Sequence, residues 1–249
     1  MNILILGRTG PLWFLLFTIF TSCTPSKLIT VYTIGDSTMA NKKAEVYPET
    51  GWGQVFQNYF DAKVKVSNHA VNGRSSKSFI DEGRWKIILD ILKRGDYVFI
   101  QFGHNDEKAD KPAVYADAST SYRMNLEKYI VETRAKGATP ILLTSIVRRK
   151  FDGSGKLVDT HGKYPDAVRE VAASFSVELI DMQLLTHSFI GSMGDEPSKK
   201  MYLWTAPDQN FPEGRKDDTH LSVEGAKTFA GLVAKEVRKL KTPLARHVK

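Results

Sequence analysis

The sequence predicts an α/β fold in which a parallel sheet is covered on both faces by helices. From Lys27 onward, short apolar runs alternate with longer amphipathic stretches. Each short run is rich in branched or aromatic residues and ends near a polar or glycine-containing turn. The balance of 42% hydrophobic and 25% charged residues excludes a disordered, fibrous or multi-span membrane chain. A single domain of 249 residues buries most of the surface its unfolded chain exposes, so neither disulfides nor a structural metal is required, and the single cysteine agrees.

Taken in order, residues 1–22 read as an export signal, with Arg8 near the start and an apolar run from Leu12 to Phe20 too short to span a bilayer comfortably. Cys23 follows Phe20, Thr21 and Ser22, an arrangement that resembles a bacterial lipobox with Phe20 where leucine is usual. The expected location is the bacterial periplasm or cell surface, with Cys23 lipidated as a membrane anchor; an unpaired cysteine behind an ordinary cleaved signal is the other reading. Removing residues 1–22 takes away Arg8 alone, so the formal charge of +7 becomes +6 and the mature chain stays basic. A basic surface steers polyanionic substrates such as pectin towards it, although a dispersed excess of lysine is more often a solubility feature. Nucleic acid is not expected as a partner, because zinc-finger spacing, RNA-binding signatures and a concentrated basic stripe are all missing.

The strands follow as Ile29 to Ile34, Val64 to Asn68, Tyr97 to Phe102, Ile141 to Ile146 and Val177 to Ile180, which makes a five-stranded sheet. Between and after them, helices are expected at Trp52 to Phe60, Phe79 to Leu92, Thr120 to Lys136, Pro165 to Phe175 and Val223 to Lys239. Ser222 suits the N-cap of the last, and Gly95 and Gly137 suit the ends of two others. Three polar stretches, Glu107 to Ser119, Arg148 to Tyr164 and Gly194 to Thr219, are candidates for shaping a cleft, since ligands of open parallel sheets bind outside the carboxyl ends of the strands. They read equally well as surface connections.

The first strand runs directly into Gly35, Asp36, Ser37 and Thr38, which exposes a serine hydroxyl and leaves backbone N–H groups free to stabilise an oxyanion. Alone, this triplet is also an ordinary turn or N-cap signal. Near the other end, Asp217 and His220 lie three residues apart on what reads as one short loop before the final helix, beside Asp218 and Thr219. Serine ester hydrolysis needs a base for the hydroxyl proton and a carboxylate to hold that base in one tautomer.

Two further segments complete a resemblance to the SGNH hydrolase family, whose four separated blocks supply a serine, a glycine, an asparagine and a histidine. Here the blocks are Gly35-Asp36-Ser37, Asn72-Gly73-Arg74-Ser75, Gly103-His104-Asn105-Asp106 and Asp217 to His220. The resemblance implies Ser37 as nucleophile, His220 as general base and acid, Asp217 as its orienter in preference to Asp218, and an oxyanion hole from the N–H groups of Ser37 and Gly73 with the Asn105 amide. It also implies a flavodoxin-like three-layer α/β/α fold. Gly35 to Ala40, the Gly51-Trp52-Gly53 turn, Asn72 to Phe79, Glu82 to Trp85 and Gln101 to Asp106 look like the rhamnogalacturonan acetylesterase branch. That implies deacetylation of acetylated pectic polysaccharide without a cofactor.

Arg74, Arg84, Trp85 and His161 are the candidate substrate contacts, with Tyr164 in the same long loop as His161; Arg84 and Trp85 read also as residues that simply cover the sheet, and His69 and His187 as packed or solvent-bonded. No histidine and carboxylate spacing indicates a metal site. The rival readings are an esterase for xylan acetyl groups or another acyl carbohydrate, and a surface lipoprotein that binds carbohydrate without catalysis.

Overall fold

The computed structural model describes residues 28–249, so the expected signal segment and Cys23 lie outside the described residues. Five parallel strands form the central sheet: β1 (Ile29–Gly35), β2 (Val64–Asn68), β3 (Tyr97–Gln101), β4 (Thr139–Leu143) and β5 (Glu178–Ile180). Their spatial order is β2-β1-β3-β4-β5, with Val31 facing Val66 on one side and Tyr97 on the other. Alternate residues divide the core into two layers. Val31, Phe99, Ile141 and Leu143 point to one face, and Tyr32, Ile34, Val98, Ile100 and Leu142 to the other. Burying each such side chain contributes roughly 1.5 to 3 kcal/mol.

The eight α-helices among the described residues are α1 (Trp52–Val55), α2 (Ser76–Asp81), α3 (Arg84–Ile91), α4 (Ser121–Ala135), α5 (Tyr164–Ser174), α6 (Met182–Met193), α7 (Asp195–Ser198) and α8 (Val223–Val237). Trp52, Met182, Ile190 and Phe229 place α1, α6 and α8 in the first layer; Phe79, Trp85, Tyr122 and Val168 place α2 to α5 in the second. The result is the expected three-layer α/β/α arrangement.

Several boundaries differ from the sequence reading. The expected helix from Phe79 to Leu92 is two helices, because Gly83 takes a left-handed φ of +71° between them. The expected helix from Trp52 to Phe60 is one α turn followed by a 3₁₀ segment over Phe56–Tyr59. β4 begins two residues early, with Pro140 paired opposite Val98, and releases the chain at Thr144, whose hydroxyl bonds Asp181. The polar stretch from Gly194 to Thr219 carries α7 and most of an antiparallel hairpin, β6 (Tyr202–Thr205) with β7 (Arg215–Leu221).

The sheet places the site. β1 is followed by β2 on one side and then by β3 on the other, so the chain leaves the carboxyl ends of β1 and β3 in opposite directions and opens a crevice there. Ser37 follows β1, Gly73 follows β2 and Asn105 follows β3.

Candidate active site

The turn that presents Ser37 is built by its neighbours. The Asp36 carbonyl accepts the Met39 and Ala40 N–H groups, and Asp36 Oδ1 accepts both the N–H (2.9 Å) and the hydroxyl (2.8 Å) of Thr38. The chain therefore reverses at once after β1, and the Ser37 hydroxyl stands at the carboxyl edge of the sheet. The Trp52 N–H donates to the Thr38 carbonyl and its indole N–H to Gln101 Oε1, which ties this turn to α1 and β3.

Asp217 and His220 lie on β7, not on a loop. Tyr202 pairs with Leu221 and the next residue, Leu203, with Asp217, so Asp218, Thr219 and His220 bulge out of the hairpin. Asp217 Oδ1 closes the bulge by accepting the N–H groups of Thr219 (2.8 Å) and His220 (2.9 Å). Its Oδ2 faces His220 Nδ1 at 2.8 Å, and His220 Nε2 faces Ser37 Oγ at 2.9 Å. Burial works against the Asp217 charge, but the ring and backbone donors of His220 outweigh it and hold the carboxyl below the usual range. An ionised Asp217 fixes the proton on Nδ1, so Nε2 offers its lone pair to the Ser37 hydroxyl.

Gly73 adopts a left-handed φ of +75°, a conformation that strains any residue with a Cβ. Among the described residues, no protein acceptor takes the N–H of Ser37 or Gly73. Asn105 stands opposite, with Nδ2 donating to the Arg74 carbonyl at 2.9 Å and Oδ1 accepting from Lys108 Nζ at 2.7 Å. Ser37, Gly73, Asn105, Asp217 and His220 share one cleft of about 500 Å³, lined also by Glu49, His104, Lys108, Arg148 and Thr219.

Beneath the cleft lies a chain of buried polar groups. His104 Nδ1 is 3.3 Å from Asp36 Oδ2, and its ring meets His161 edge to face. Burial keeps His104 neutral, pulling it down to about 4 against the attraction of Asp36. Burial also opposes ionisation of Asp36, yet the His104 ring and the Thr38 donors hold that carboxyl at about 2. The His161 ring nitrogens face the Ile146 carbonyl and the Glu107 carboxylate, each at 2.9 Å, and Arg148 pairs with the same Glu107.

Asp106 differs. Its Oδ1 accepts the N–H and hydroxyl of Ser76, at 3.0 and 2.5 Å, which fastens the third block to the start of α2, while Oδ2 has no partner among the described residues. Burial raises it to about 7 despite those donors. A carboxyl raised on folding contributes stability that is complete below its unfolded value and is lost as pH rises through the folded value. Wild-type protein should therefore lose stability between about pH 4 and about pH 7 at this group. Asp106→Asn, which keeps the acceptor and carries no charge, should match it at pH 4 and surpass it at pH 8. Urea unfolding of both proteins at the two pH values checks this, and a pH-independent difference contradicts it.

The proposed substrate contacts fall elsewhere. Trp85 is 2% exposed, packed edge to face on Tyr129 with its indole N–H on Glu132, so it belongs to the core. Arg74 and Arg84 both pair with Glu82 on the surface, and neither side chain lines the Ser37 cleft, although the Arg74 carbonyl anchors Asn105. His161 is buried behind His104 and is likewise not among the residues that line the Ser37 cleft. Tyr164 is buried, its hydroxyl donating to the Asp106 and Ala116 carbonyls. The sequence reading singled out none of Glu49, Lys108, Arg148 and Thr219, although Lys108 and Arg148 fall in polar stretches marked as candidates for the cleft and Thr219 in the fourth block; Glu49 carried no local signal.

Comparison with known proteins agrees with this geometry. Residues 33–228 match the GDSL-like lipase/acylhydrolase family. The chain is 39% identical over 224 residues, covering 89% of itself and 95% of the relative, to the rhamnogalacturonan acetylesterase RhgT of Bacillus subtilis. Among solved structures it is similar to the YxiM protein of Bacillus subtilis, with a TM-score of 0.75 and 26% identity over 88% of this chain, which spans 59% of that longer one. The acetylxylan esterase Axe2 of Geobacillus stearothermophilus shares the fold at a TM-score of 0.61 and 19% identity, covering 85% of this chain and 94% of that one. With its family blocks joined in one cleft and a matching relative along nearly its whole length, the chain belongs to the GDSL-like lipase/acylhydrolase family and is a carboxylic ester hydrolase.

Proposed function

We propose that the protein removes acetyl groups from acetylated pectic polysaccharide, rhamnogalacturonan above all, through an acetyl-serine intermediate on Ser37. The observation that carries the reaction type is the unbroken line from Asp217 through His220 to the Ser37 hydroxyl, at 2.8 and 2.9 Å, at the mouth of a polar cleft. His220 Nε2 takes the hydroxyl proton as Ser37 Oγ attacks the ester carbonyl. The negative oxygen of the tetrahedral intermediate is met by the N–H groups of Ser37 and Gly73 and by the Asn105 amide. His220 returns the proton to the departing sugar oxygen, then activates the water that releases acetate.

The substrate assignment is supported by the identity to a rhamnogalacturonan acetylesterase and by the excess of basic residues. An anionic polymer is drawn to such a surface by attraction that salt screens over roughly 8 to 10 Å at physiological strength. Acetate release should be faster from acetylated rhamnogalacturonan than from acetylated xylan. Raising salt to physiological strength should weaken apparent affinity for the former and leave a small neutral acetyl ester unaffected. Faster release from xylan, with no salt effect on pectin, removes the pectin assignment and leaves the esterase chemistry standing.

A further inference from the structure

The third block does more than deliver Asn105. The Glu107 N–H bonds the Gly103 carbonyl and the Lys108 N–H bonds the Asn105 carbonyl, so the chain curls back after β3 and lays the Lys108 side chain over Asn105. The ammonium then donates to Asn105 Oδ1 at 2.7 Å. No carboxylate among the described residues reaches Lys108 as an ion-pair partner, and the residue lines the cleft.

Three consequences follow from the chemistry of an amide. Its two ends look alike in shape and differ in function, one accepting and the other donating two protons. With the ammonium at one end and the Arg74 carbonyl at the other, only one orientation satisfies both. Turned over, Asn105 would set donor against donor and acceptor against acceptor. In the satisfied orientation Nδ2 gives one proton to Arg74 and keeps the second for the cleft. A cation on the amide oxygen also draws electron density from the nitrogen, and a polarised N–H is a stronger donor than a neutral chain provides.

We propose that Lys108 is a positioning residue for the oxyanion hole, its ammonium fixing and polarising the Asn105 amide so that the free Nδ2 proton meets the negative oxygen of the intermediate. This rests on the reading of Asn105 as an oxyanion donor. A cation acting in this way strengthens the transition state and leaves ground-state binding alone. Its contribution depends on Asn105 being present.

The test uses the full chain and 4-nitrophenyl acetate, a neutral ester with no carboxylate for Lys108 to attract. Lys108→Met should lower kcat about tenfold to thirtyfold with KM within about twofold. Lys108→Arg, which keeps a cation at that position, should recover most of the loss. Asn105→Ala should lower kcat about a hundredfold to a thousandfold. Adding Lys108→Met to Asn105→Ala should cost less than about twofold more, since the two residues act as one unit. Thermal unfolding of each variant confirms that folded proteins are compared. A Lys108→Met protein with wild-type kcat, a change confined to KM, or an undiminished loss in the Asn105→Ala background would overturn the proposal and leave Asn105 in place. An Asn105→Ala protein with wild-type kcat would overturn both.

Discussion

Ser37→Ala should fold as the wild type does and lose roughly four to six orders of magnitude in turnover. The fold is spared because the turn does not depend on the serine side chain. Asp36 supplies both acceptors that close it, and Ser37 Oγ has the His220 ring as its partner. Catalysis is not spared, because the attacking atom is gone and His220 has no proton to take. His220→Ala should be about as severe, and the double variant little worse than either, since nucleophile and base act as a unit. The residual rate belongs to the oxyanion donors and to binding. Steady-state assays on an acetyl ester, with circular dichroism to verify folding, decide the matter: a folded Ser37→Ala protein of near-normal activity excludes the assignment.

Asp217→Asn should lower turnover about ten-thousandfold with little effect on KM. Asparagine can keep Oδ1 on the Thr219 and His220 N–H groups, so the bulge survives. It then presents an NH₂ to His220 Nδ1, which must accept, and the ring proton moves to Nε2. A protonated Nε2 points a donor at Ser37 and cannot take its proton. Asp218 provides the control. Its Oδ1 accepts from the Arg149 guanidinium and the Trp204 indole, each at 2.8 Å, and its carbonyl accepts the Arg149 N–H. It is therefore directed away from His220 and anchors the bulged strand to the neighbouring loop. Asp218→Asn should change turnover less than about tenfold and act mainly on stability. The reverse order of severity, measured as kcat for the two variants side by side, would assign the orienter to Asp218.

The site was legible wherever chemistry is written in short local blocks. Ser37 after the first strand, Gly73 after the second and Asn105 after the third follow from apolar runs that end in special turns; the first and third runs stand out because those strands lie inside the sheet and are largely buried, whereas the edge strand β2 shows only Val64 and Val66 about an exposed Lys65. The hairpin was not legible. β7 reads Arg-Lys-Asp-Asp-Thr-His-Leu and offers no alternation of apolar residues, since it pairs at the edge of the cleft and bulges across its polar part. Trp85 was open to two readings, a sugar contact beside Arg84 or a ring packed over the sheet. Nothing local decides between them, and it is α3 that turns the ring into the core against Tyr129.

By itself, the sequence determined the α/β class, the order of the four blocks and the residue types that an acyl transfer needs, because strand periodicity and turn chemistry are local properties of the chain. Tertiary structure alone decided which of those groups meet. Ser37 and His220 are 183 positions apart and touch only because β1 ends at the crevice and the hairpin folds over it. The same closure turned Asp217 towards the ring and Asp218 towards Arg149, buried His161 behind His104, and brought Lys108 onto the Asn105 amide. The physical reason is that hydrogen bonds and charge pairs act over a few ångströms of space, whatever the separation along the chain.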